Sequence, residues 1–277
     1  MKNIYLCSFA DTSLHKTLDR LRCQANEMGV FKDIYFYDES NFGDLLEDKF
    51  GNILNKYTKG YGYWLWKPYF ILQSLNHLQE NDILLYVDAG CHLNSKGIRR
   101  FMQYIEIVKH ASCGILLTTF EGKGCLTRKW TKGDLLDFFN VKNNCLITDS
   151  PQRQASVIFI RKCEESMKLL NDWYNIYESD LSLVDDTPSK NGDLEGFIEH
   201  RYDQSVLSIL SQINQCATIS VRETQNKSWL FMNSFPIWVK RDKGDVNYTA
   251  SIKDIIKDFL YYIKIKCRIF INDGRIS

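Results

Sequence analysis

The chain opens with a buried strand, an amphipathic helix and a second strand, and this order constrains the fold more than any other feature of the sequence. "NIYLCSF" (3–9) and "KDIYFYDES" (32–40) are short apolar strands, and "SLHKTLDRLRCQANEMG" (13–29) between them has helical periodicity. The apolar face of that helix is formed by Leu14, Leu18, Leu21 and Ala25. A β-α-β unit favours a parallel sheet with a right-handed crossover. The sequence therefore predicts an α/β fold.

The alternation of strands and helices continues along most of the chain. The helix "KPYFILQSLNHLQEND" (67–82) leads into the strand "ILLYVDAG" (83–90), and "CGILLTTF", "ASVIFIRK" and "ATISV" are further strands. With 277 residues, 44% of them hydrophobic, the chain can fill a sizeable core. No internal repeat or low-complexity linker interrupts it. We expect one α/β domain over 1–235, with a mostly parallel central sheet, and a C-terminal extension over 236–277.

Composition argues against several classes of protein. Thirty-five basic and thirty-four acidic residues give a net charge of +1, and no basic face recurs, so we expect no nucleic-acid partner. The chain has nine cysteines, which is an odd number, and they are scattered without a C-x-x-C pair. This pattern is typical of reduced thiols. No segment approaches the length of about 18 apolar residues that crosses a bilayer, and the first strand is too short for a secretory signal. We expect a cytoplasmic protein.

Asp88 is the first candidate for chemistry. It ends the strand "ILLYVDAG" at the carboxyl edge, where ligands bind in open α/β sheets. The small residues that follow, Ala89 and Gly90, leave room for a phosphate-bearing ligand, and a carboxylate oxygen suits Mg²⁺ or Mn²⁺. The alternative is an Asx turn or a helix cap that closes the strand. This stretch alone favours neither interpretation.

An aromatic-rich segment precedes the helix that leads to Asp88. "KGYGYWLWKPYFI" (59–71) surrounds Lys67 with aromatic rings. These rings belong to Tyr61, Tyr63, Trp64, Trp66 and Tyr69. Aromatic planes stack on sugars or bases, and a lysine neutralises phosphate. Each ring taken singly is more often part of a core, but so many rings beside one cation favour a ligand site.

A third segment, "HRYDQSVLSILSQI" (200–213), begins an apolar helix with polar residues. His200, Arg201 and Asp203 suit a metal, a phosphate or a sugar hydroxyl. The alternative for Asp203 is the N-cap of the helix, because aspartate is among the preferred residues at that position.

The order of these motifs resembles that of bacterial GT-A-type glycosyltransferases, which assemble surface polysaccharides such as capsule, lipopolysaccharide, lipooligosaccharide and O-antigen. The resemblance rests on "GYWLWKPY", a helix, "ILLYVDAG" and the distant "HRYDQSVLSIL", and it covers about residues 1–230. It implies a Rossmann-like GT-A domain that takes a sugar from a nucleoside-diphosphate sugar, with a UDP-sugar favoured. The acceptor it implies is a glycan or a lipid-linked glycan.

The resemblance also implies a metal, Mn²⁺ or Mg²⁺, bound by Asp88. This sequence departs from the family's Asp-x-Asp motif, because Gly90 stands where the second aspartate is expected. His92 or His200 would then complete the metal site. The other outcome is that no metal is obligatory, and that Lys67 and Arg201 offset the phosphate charge instead.

The residues that the resemblance assigns to the nucleotide sugar come from the strand ends and the motifs above. They are Ser8, Phe9, Asp11, Lys67, Tyr69, Asp88, Ala89, Gly90, Arg201 and Gln204. For Asp11 the alternative is capping of the following helix, because aspartate strongly favours the N-cap position.

An inverting transfer also needs a base for the acceptor hydroxyl. The candidates are Asp203, Asp149 and Glu199, and Asp203 is favoured. Asp149 precedes Ser150 and Pro151, so its alternative role is to form a turn. Nothing in the sequence separates inversion from retention of configuration.

The C-terminal extension carries a basic amphipathic segment, "SIKDIIKDFLYYIKIKCRIFI" (251–271). Its apolar residues fall at helical spacing, at Ile252, Ile255, Ile256, Phe259, Leu260 and Ile263. Its cations are Lys253, Lys257, Lys264, Lys266 and Arg268. This pattern is typical of a helix that lies on an anionic membrane, which would make the protein peripheral on the inner membrane face. It is equally typical of a terminal helix that packs on the body.

Two other classes of function compete with a glycosyltransferase. A catalytically inactive nucleotide-sugar-binding protein would explain the degenerate Asp-Ala-Gly motif and predicts donor binding without turnover. A nucleotidyltransferase would share the fold, but it should carry a glycine-rich basic loop after the first strand, and "CSFADTS" has neither glycine nor lysine.

Overall fold

The computed structural model describes residues 3–242 and 250–276, without the side chains of residues 45 and 270–276. The strands are β1 (Ile4–Phe9), β2 (Asp33–Tyr37), β3 (Ile83–Val87), β4 (His92–Leu93), β5 (Ile115–Thr119), β6 (Arg153–Arg161), β7 (Ala217–Ser220) and β8 (Ile237–Trp238). The helices are α1 (His15–Met28), α2 (Asp44–Phe50), α3 (Gly60–Tyr63), α4 (Trp66–Asn76), α5 (Ile98–His110), α6 (Gly133–Phe138), α7 (Cys145–Thr148), α8 (Glu164–Ser179), α9 (Tyr202–Ile213) and α10 (Ile252–Ile276).

A six-stranded sheet in the order β2-β1-β3-β6-β5-β7 forms the centre of the molecule. β1 pairs in parallel with β2 and β3, and β5 pairs in parallel with β7. β6 is antiparallel to both of its neighbours, β3 and β5. The predicted α/β fold with a mostly parallel sheet is therefore confirmed. The carboxyl ends of β1, β3 and β5 and the beginning of β6 share one edge of the sheet.

Both faces of the sheet are covered by helices, as an α/β sheet requires. One core joins the sheet to α4, α8 and α9 through residues such as Phe70, Trp173 and Leu207. The other joins it to α1 and α5 through residues such as Leu21 and Phe101. This packing fixes the first turns of α4 and α9 above the same edge of the sheet.

The chain returns to the sheet edge near its C-terminus. β8 pairs antiparallel with β4, so that Trp238 lies opposite His92, and residues 239–242 then pass over the turn that follows β3. The predicted C-terminal helix is present as α10. β8 lies beyond the predicted boundary between 235 and 236, and that division stays a prediction.

None of the helices in the described ranges combines the length and apolarity that crossing a membrane requires. This includes α10, whose 25 residues carry too many charges.

Candidate functional site

Asp88 lies directly after β3, at the shared edge of the sheet. Its backbone N–H donates to the carbonyl of Ser156 on β6 at 3.0 Å, which extends the pairing of the two strands by one residue. The hydroxyl of Tyr86 donates to Oδ1 of Asp88 at 2.8 Å. The Asp88 side chain remains 37% exposed. The structure thus presents a carboxylate to solvent where the sequence predicted it.

Lys67 binds two carboxylates from inside the protein. Its Nζ donates to Oδ2 of Asp203 at 2.5 Å and to the carbonyl of Ala155 at 3.3 Å, and it lies 3.3 Å from Oδ1 of Asp88. An ammonium group has three N–H donors, so these three partners occupy all of them. Burial lowers the pKa of Lys67, but the carboxylates of Asp203 and Asp88 more than offset this, and the net pKa is raised. Lys67 is therefore a buried cation that holds the site together.

This arrangement changes the role that we expect for Lys67. The sequence predicted a lysine that contacts donor phosphates, but the side chain is almost entirely buried and its donors are taken. A phosphate could reach it only by displacing a carboxylate. The structure favours a positioning role, in which Lys67 orients Asp88 and Asp203.

Asp203 is buried in the first turn of α9. It does not cap the helix, because the N-cap residue is Arg201 and no side chain caps the end. Burial raises the pKa of Asp203, and the ammonium of Lys67 opposes that rise. A raised pKa would favour proton uptake, but the Asp203 side chain is buried and its Oδ2 already accepts from Lys67, so an acceptor hydroxyl cannot reach it without a rearrangement. These surroundings favour a positioning role over the predicted role as base.

An unusual backbone segment leads into α4. Five consecutive residues have positive φ: Gly60 (58°), Tyr61 (57°), Gly62 (93°), Tyr63 (53°) and Trp64 (61°). The segment includes α3, whose backbone is therefore a left-handed turn and not a regular α-helix. This conformation costs roughly 1–2 kcal/mol for each residue that has a Cβ atom. Such strain persists only where the surrounding structure imposes it, and it is concentrated at functional sites.

The left-handed turn contacts the start of α9 directly. Tyr202, which also has a positive φ of 47°, packs its ring 5.8 Å from that of Tyr63 and 5.4 Å from that of Trp64. The next residue after Tyr202 is Asp203, the partner of Lys67. The two strained segments therefore meet beside the ion pair, which explains how the aromatic residues of the turn help to place it.

Gln204 in the first turn of α9 and Arg201 at its N-cap make contacts around Gln152 and Trp130. Gln204 Nε2 donates to Oε1 of Gln152 at 2.7 Å, and Gln152 Nε2 donates to the carbonyl of Trp130 at 3.1 Å. The guanidinium of Arg201 lies over the Trp130 ring at 4.2 Å and pairs with Glu199 at 2.8 Å. Arg201 thus neutralises one of the candidate bases, Glu199.

The residues predicted at the end of β1 have structural roles. Ser8 is buried and its hydroxyl donates to the carbonyl of Val87 at 2.8 Å, while Phe9 packs among aromatic rings of the core, 4.1 Å from the ring of Trp66. Asp11 caps the short 3₁₀ turn that follows, accepting the N–H of Ser13 at 2.9 Å. Asp11 thus caps this 3₁₀ turn and not α1, whose N-cap residue is Leu14 and has no side-chain cap. A contact to a nucleotide base stays a prediction for these residues.

Tyr69 and Asp149 contact residues outside the Lys67 ion pairs. The Tyr69 ring packs against Phe70 at 5.2 Å and Tyr174 at 6.1 Å. Asp149 ends α7 and pairs with Arg128 at 3.2 Å. The turn interpretation of Asp149 agrees with this position, and its role as a base stays untested.

The turn after β3 is held by residues that the sequence did not point to. The guanidinium of Arg20 donates to the carbonyls of Ala89 at 3.0 Å and Cys91 at 3.1 Å, and the N–H of Asp242 donates to the carbonyl of Gly90 at 3.1 Å. A Cβ atom on Gly90 would lie only 3.0 Å from the Cα of Arg241. Gly90 therefore allows the C-terminal chain to approach, and an aspartate side chain would displace it.

The predicted metal ligands do not form one site. Nε2 of His92 lies 2.9 Å from Oδ2 of Asp242, and its Nδ1 lies 3.2 Å from the amide of Gln24. Nδ1 of His200 accepts the N–H of Lys132, and burial lowers the pKa of His200 to about 3. In residues 3–242 and 250–276, no three His, Cys, Asp or Glu side chains are placed to hold a metal ion. The described residues do not fit a metal bound by protein ligands alone.

Some of these partners had a signal in the sequence and others had none. Tyr86 precedes Asp88 by two residues on a strand, and that spacing places both side chains on the same face of the sheet. Arg20, Gln152 and Asp242 come from distant parts of the chain, and no local pattern marks them.

Comparisons with known proteins give structural neighbours only. No family model matches the sequence, and no curated protein matches it. A glycosyltransferase involved in glycosylation of the major capsid of PBCV-1 has a TM-score of 0.48 at 11% identity, over 93% of this chain and 99% of that one. Mouse xyloside xylosyltransferase 1 has a TM-score of 0.46 at 10% sequence identity, over 90% of this chain and 100% of that one.

A third neighbour is the glycosyltransferase GlyE of Streptococcus pneumoniae TIGR4. Its TM-score is 0.47 at 12% identity, over 99% of this chain and 64% of that one. Similarity at this level does not assign a function, so the function has to be argued from the residues of this chain.

Proposed function

We propose that the protein is a glycosyltransferase that moves a sugar from a nucleoside-diphosphate sugar to a glycan or lipid-linked glycan. The observation that carries the proposal is the pair of carboxylates on one buried lysine, with Asp88 open to solvent at the carboxyl edge of the sheet. Ligands bind at that edge in open α/β sheets. The order of motifs in the sequence supports the same reaction class.

The chemistry of glycosyl transfer fits a single exposed carboxylate. As the bond to the leaving diphosphate breaks, the anomeric carbon gains positive charge, and a nearby carboxylate stabilises that charge. Asp88 supplies it, and its orientation is fixed by Lys67 and the hydroxyl of Tyr86. Asp203 contributes by holding Lys67. Because the described residues do not form a metal site, this proposal assigns the chemistry to side chains alone.

The donor, the acceptor and the place of action belong to the same proposal. We expect a UDP-sugar as donor and a surface polysaccharide, such as lipopolysaccharide or capsule, as the product. The protein would act in the cytoplasm at the inner membrane face, where lipid-linked acceptors are exposed. A binding protein without turnover is the second candidate, because Gly90 replaces an acidic residue of the family motif.

A thermal-shift screen tests donor binding. Purified protein is heated with UDP, GDP, CMP or TDP, each with Mn²⁺, Mg²⁺ or EDTA. A ligand at 100 times its Kd stabilises the native state by about 2.7 kcal/mol, which corresponds to roughly 5 °C in Tm for a chain of this size. We expect such a shift with UDP, and we expect it to persist in EDTA.

The arms of the screen separate the outcomes. A shift with UDP that needs Mn²⁺ would show that the diphosphate and Asp88 bind a metal together, and it would overturn the assignment to side chains alone. No shift with any nucleotide would contradict both the transferase and the binding protein.

A further inference from the structure

α10 has two different faces, and one of them holds it on the body of the protein. Ile265 is buried in a cluster with Met232 and Phe235. Asp258, also buried, accepts the backbone N–H of Ser228 at 2.7 Å. One of the two interpretations of the sequence, a terminal helix that packs on the body, therefore holds for this face of α10. Packing on the body does not explain the apolar residues on the opposite face.

The opposite face carries a largely exposed apolar stripe, which we call the outer stripe. One of its residues, Phe259, also contacts the body, because its ring lies 5.3 Å from that of Phe231. The members of the outer stripe are Ile252, Ile256, Phe259, Leu260 and Ile263. They are spaced at i, i+4, i+7, i+8 and i+11, so they share one side of the helix. Their exposed fractions lie between 43% and 77%. A soluble surface seldom exposes so many large apolar side chains side by side, and such patches mark interaction sites.

Basic residues border the outer stripe. At 100° per residue, Lys253, Lys257, Lys264 and Arg268 fall along one edge of it. Lys266 falls along the other edge, where its Nζ lies 5.3 Å from the centre of the Phe235 ring. Within the described chain, no carboxylate lies within 4.0 Å of these five cations, since none of them takes part in an ion pair. The acidic residues of this part of the helix lie elsewhere, as Asp258 is buried and Asp254 pairs with Lys227 at 3.0 Å.

We propose that the outer stripe docks the protein on an anionic lipid surface. The apolar side chains would enter the boundary between headgroups and acyl chains, and the lysines would contact anionic headgroups at its edges. The helix would lie in the plane of the membrane, with its inner face still bound to the body. This surface is separate from the Asp88 site, and the inference does not depend on the transfer reaction.

Charge favours lipid over a second copy of the chain as the partner. Two copies that paired through the outer stripe would each bring the same positive border, without a described carboxylate to neutralise it. Like charges at an interface oppose association. Anionic lipid supplies the negative charge that the described residues bordering the outer stripe do not provide.

Vesicle sedimentation tests the proposal on the full chain. Protein is mixed with vesicles of phosphatidylcholine alone, or of phosphatidylcholine with phosphatidylglycerol, and the pelleted fraction gives the affinity. We expect binding to the anionic vesicles that weakens as salt is raised, because salt screens the headgroup charge. The double variant Ile256→Ser/Leu260→Ser should bind at least about tenfold more weakly, since it removes apolar contacts with lipid.

A second variant separates the electrostatic part. Lys253→Gln/Lys257→Gln/Lys264→Gln should weaken binding to anionic vesicles by roughly 100-fold, since each lysine near such a surface contributes about 1 kcal/mol. The matched control is Leu146→Ser/Ile198→Ser, two side chains that are 81% and 58% exposed outside α10. The control should bind like the unmodified protein.

Three results would overturn the proposal. The first is that the unmodified protein does not pellet with anionic vesicles. The second is that Ile256→Ser/Leu260→Ser binds them as well as the control does, with an unchanged Tm. The third is a dimer in light scattering that this variant turns into a monomer, because the outer stripe would then be a contact between copies.

Discussion

At the scale of single residues, Lys67 explains more of the candidate site than Asp88 does. It contacts both Asp88 and Asp203, and it lies in a buried position where a charge without partners would be costly. The sequence marked Lys67 because of its aromatic neighbours and assigned it to phosphate. In the structure Lys67 contacts the carboxylates of Asp88 and Asp203 in place of a phosphate. The sequence around Lys67 could not reveal the ion pair with Asp203, which lies 136 residues away.

Replacing Lys67 should therefore destabilise the protein. Lys67→Met leaves the Asp203 carboxylate buried without a counter-ion, and we expect a loss of about 3–5 kcal/mol in the free energy of unfolding. The measurement is denaturant unfolding followed by fluorescence. Lys67→Met/Asp203→Asn should lose less than the two single changes added together, because the remaining amide is uncharged.

A surface ion pair provides the control for this change. Lys49 lies 2.6 Å from Glu178 with both side chains partly exposed, so Lys49→Met should cost less than about 1 kcal/mol. If Lys67→Met cost no more than Lys49→Met, the buried ion pair would not hold the site.

At the scale of elements, strands and helices were predictable and their irregular connections were not. The predicted strands and helices appear as β1, α1, β2, α4, β3, β5, β6, α9, β7 and α10. Their apolar runs have the length and period of buried elements. The direction of β6 was not predictable, because an apolar run has the same composition whichever way the strand points.

The left-handed turn is the element that departs furthest from local preference. Two glycines at 60 and 62 suit positive φ, but Tyr61, Tyr63 and Trp64 adopt it against their intrinsic preference. Only packing can impose this conformation, and the contacts with Tyr202 lie in a distant part of the sequence. The sequence predicted a ligand site at this segment because of its aromatic rings. The structure shows in addition that its backbone is strained.

Gly60 should tolerate no side chain. Its φ is +58°, and a Cβ atom would overlap the ring of Trp64. We expect Gly60→Ala to lower the free energy of unfolding by at least about 2 kcal/mol, from backbone strain and the steric clash together. Thermal unfolding measures this.

Gly124→Ala is the matched control for Gly60→Ala. Apart from Gly124 itself and its two chain neighbours, no described residue has an atom within 4 Å of a Cβ at this position, so the change should stay within about 0.5 kcal/mol. Equal stability of the two variants would mean that residues 60–64 do not form the left-handed turn.

At the scale of the whole molecule, the C-terminal chain connects two surfaces that the sequence treated separately. Residues 237–242 add β8 beside β4 and cover Gly90, and α10 then packs on the segment around Met232 and Phe235. The sequence predicted the helix and left open whether it packs on the body or lies on a membrane. It could not predict that the chain passes over the Asp-Ala-Gly turn, because a two-residue strand has no periodicity to detect.

The central claim is that Asp88 performs the chemistry of a nucleotide-sugar transferase, and turnover of Asp88→Asn tests it most directly. The assay measures release of nucleoside diphosphate from the nucleotide sugar whose nucleotide shifts the Tm. Asn has the shape of Asp without the charge, so we expect turnover to fall by about 10²-fold or more with an unchanged Tm. Asp48→Asn, an exposed change on α2, should leave turnover unchanged. Full turnover by Asp88→Asn would contradict the account.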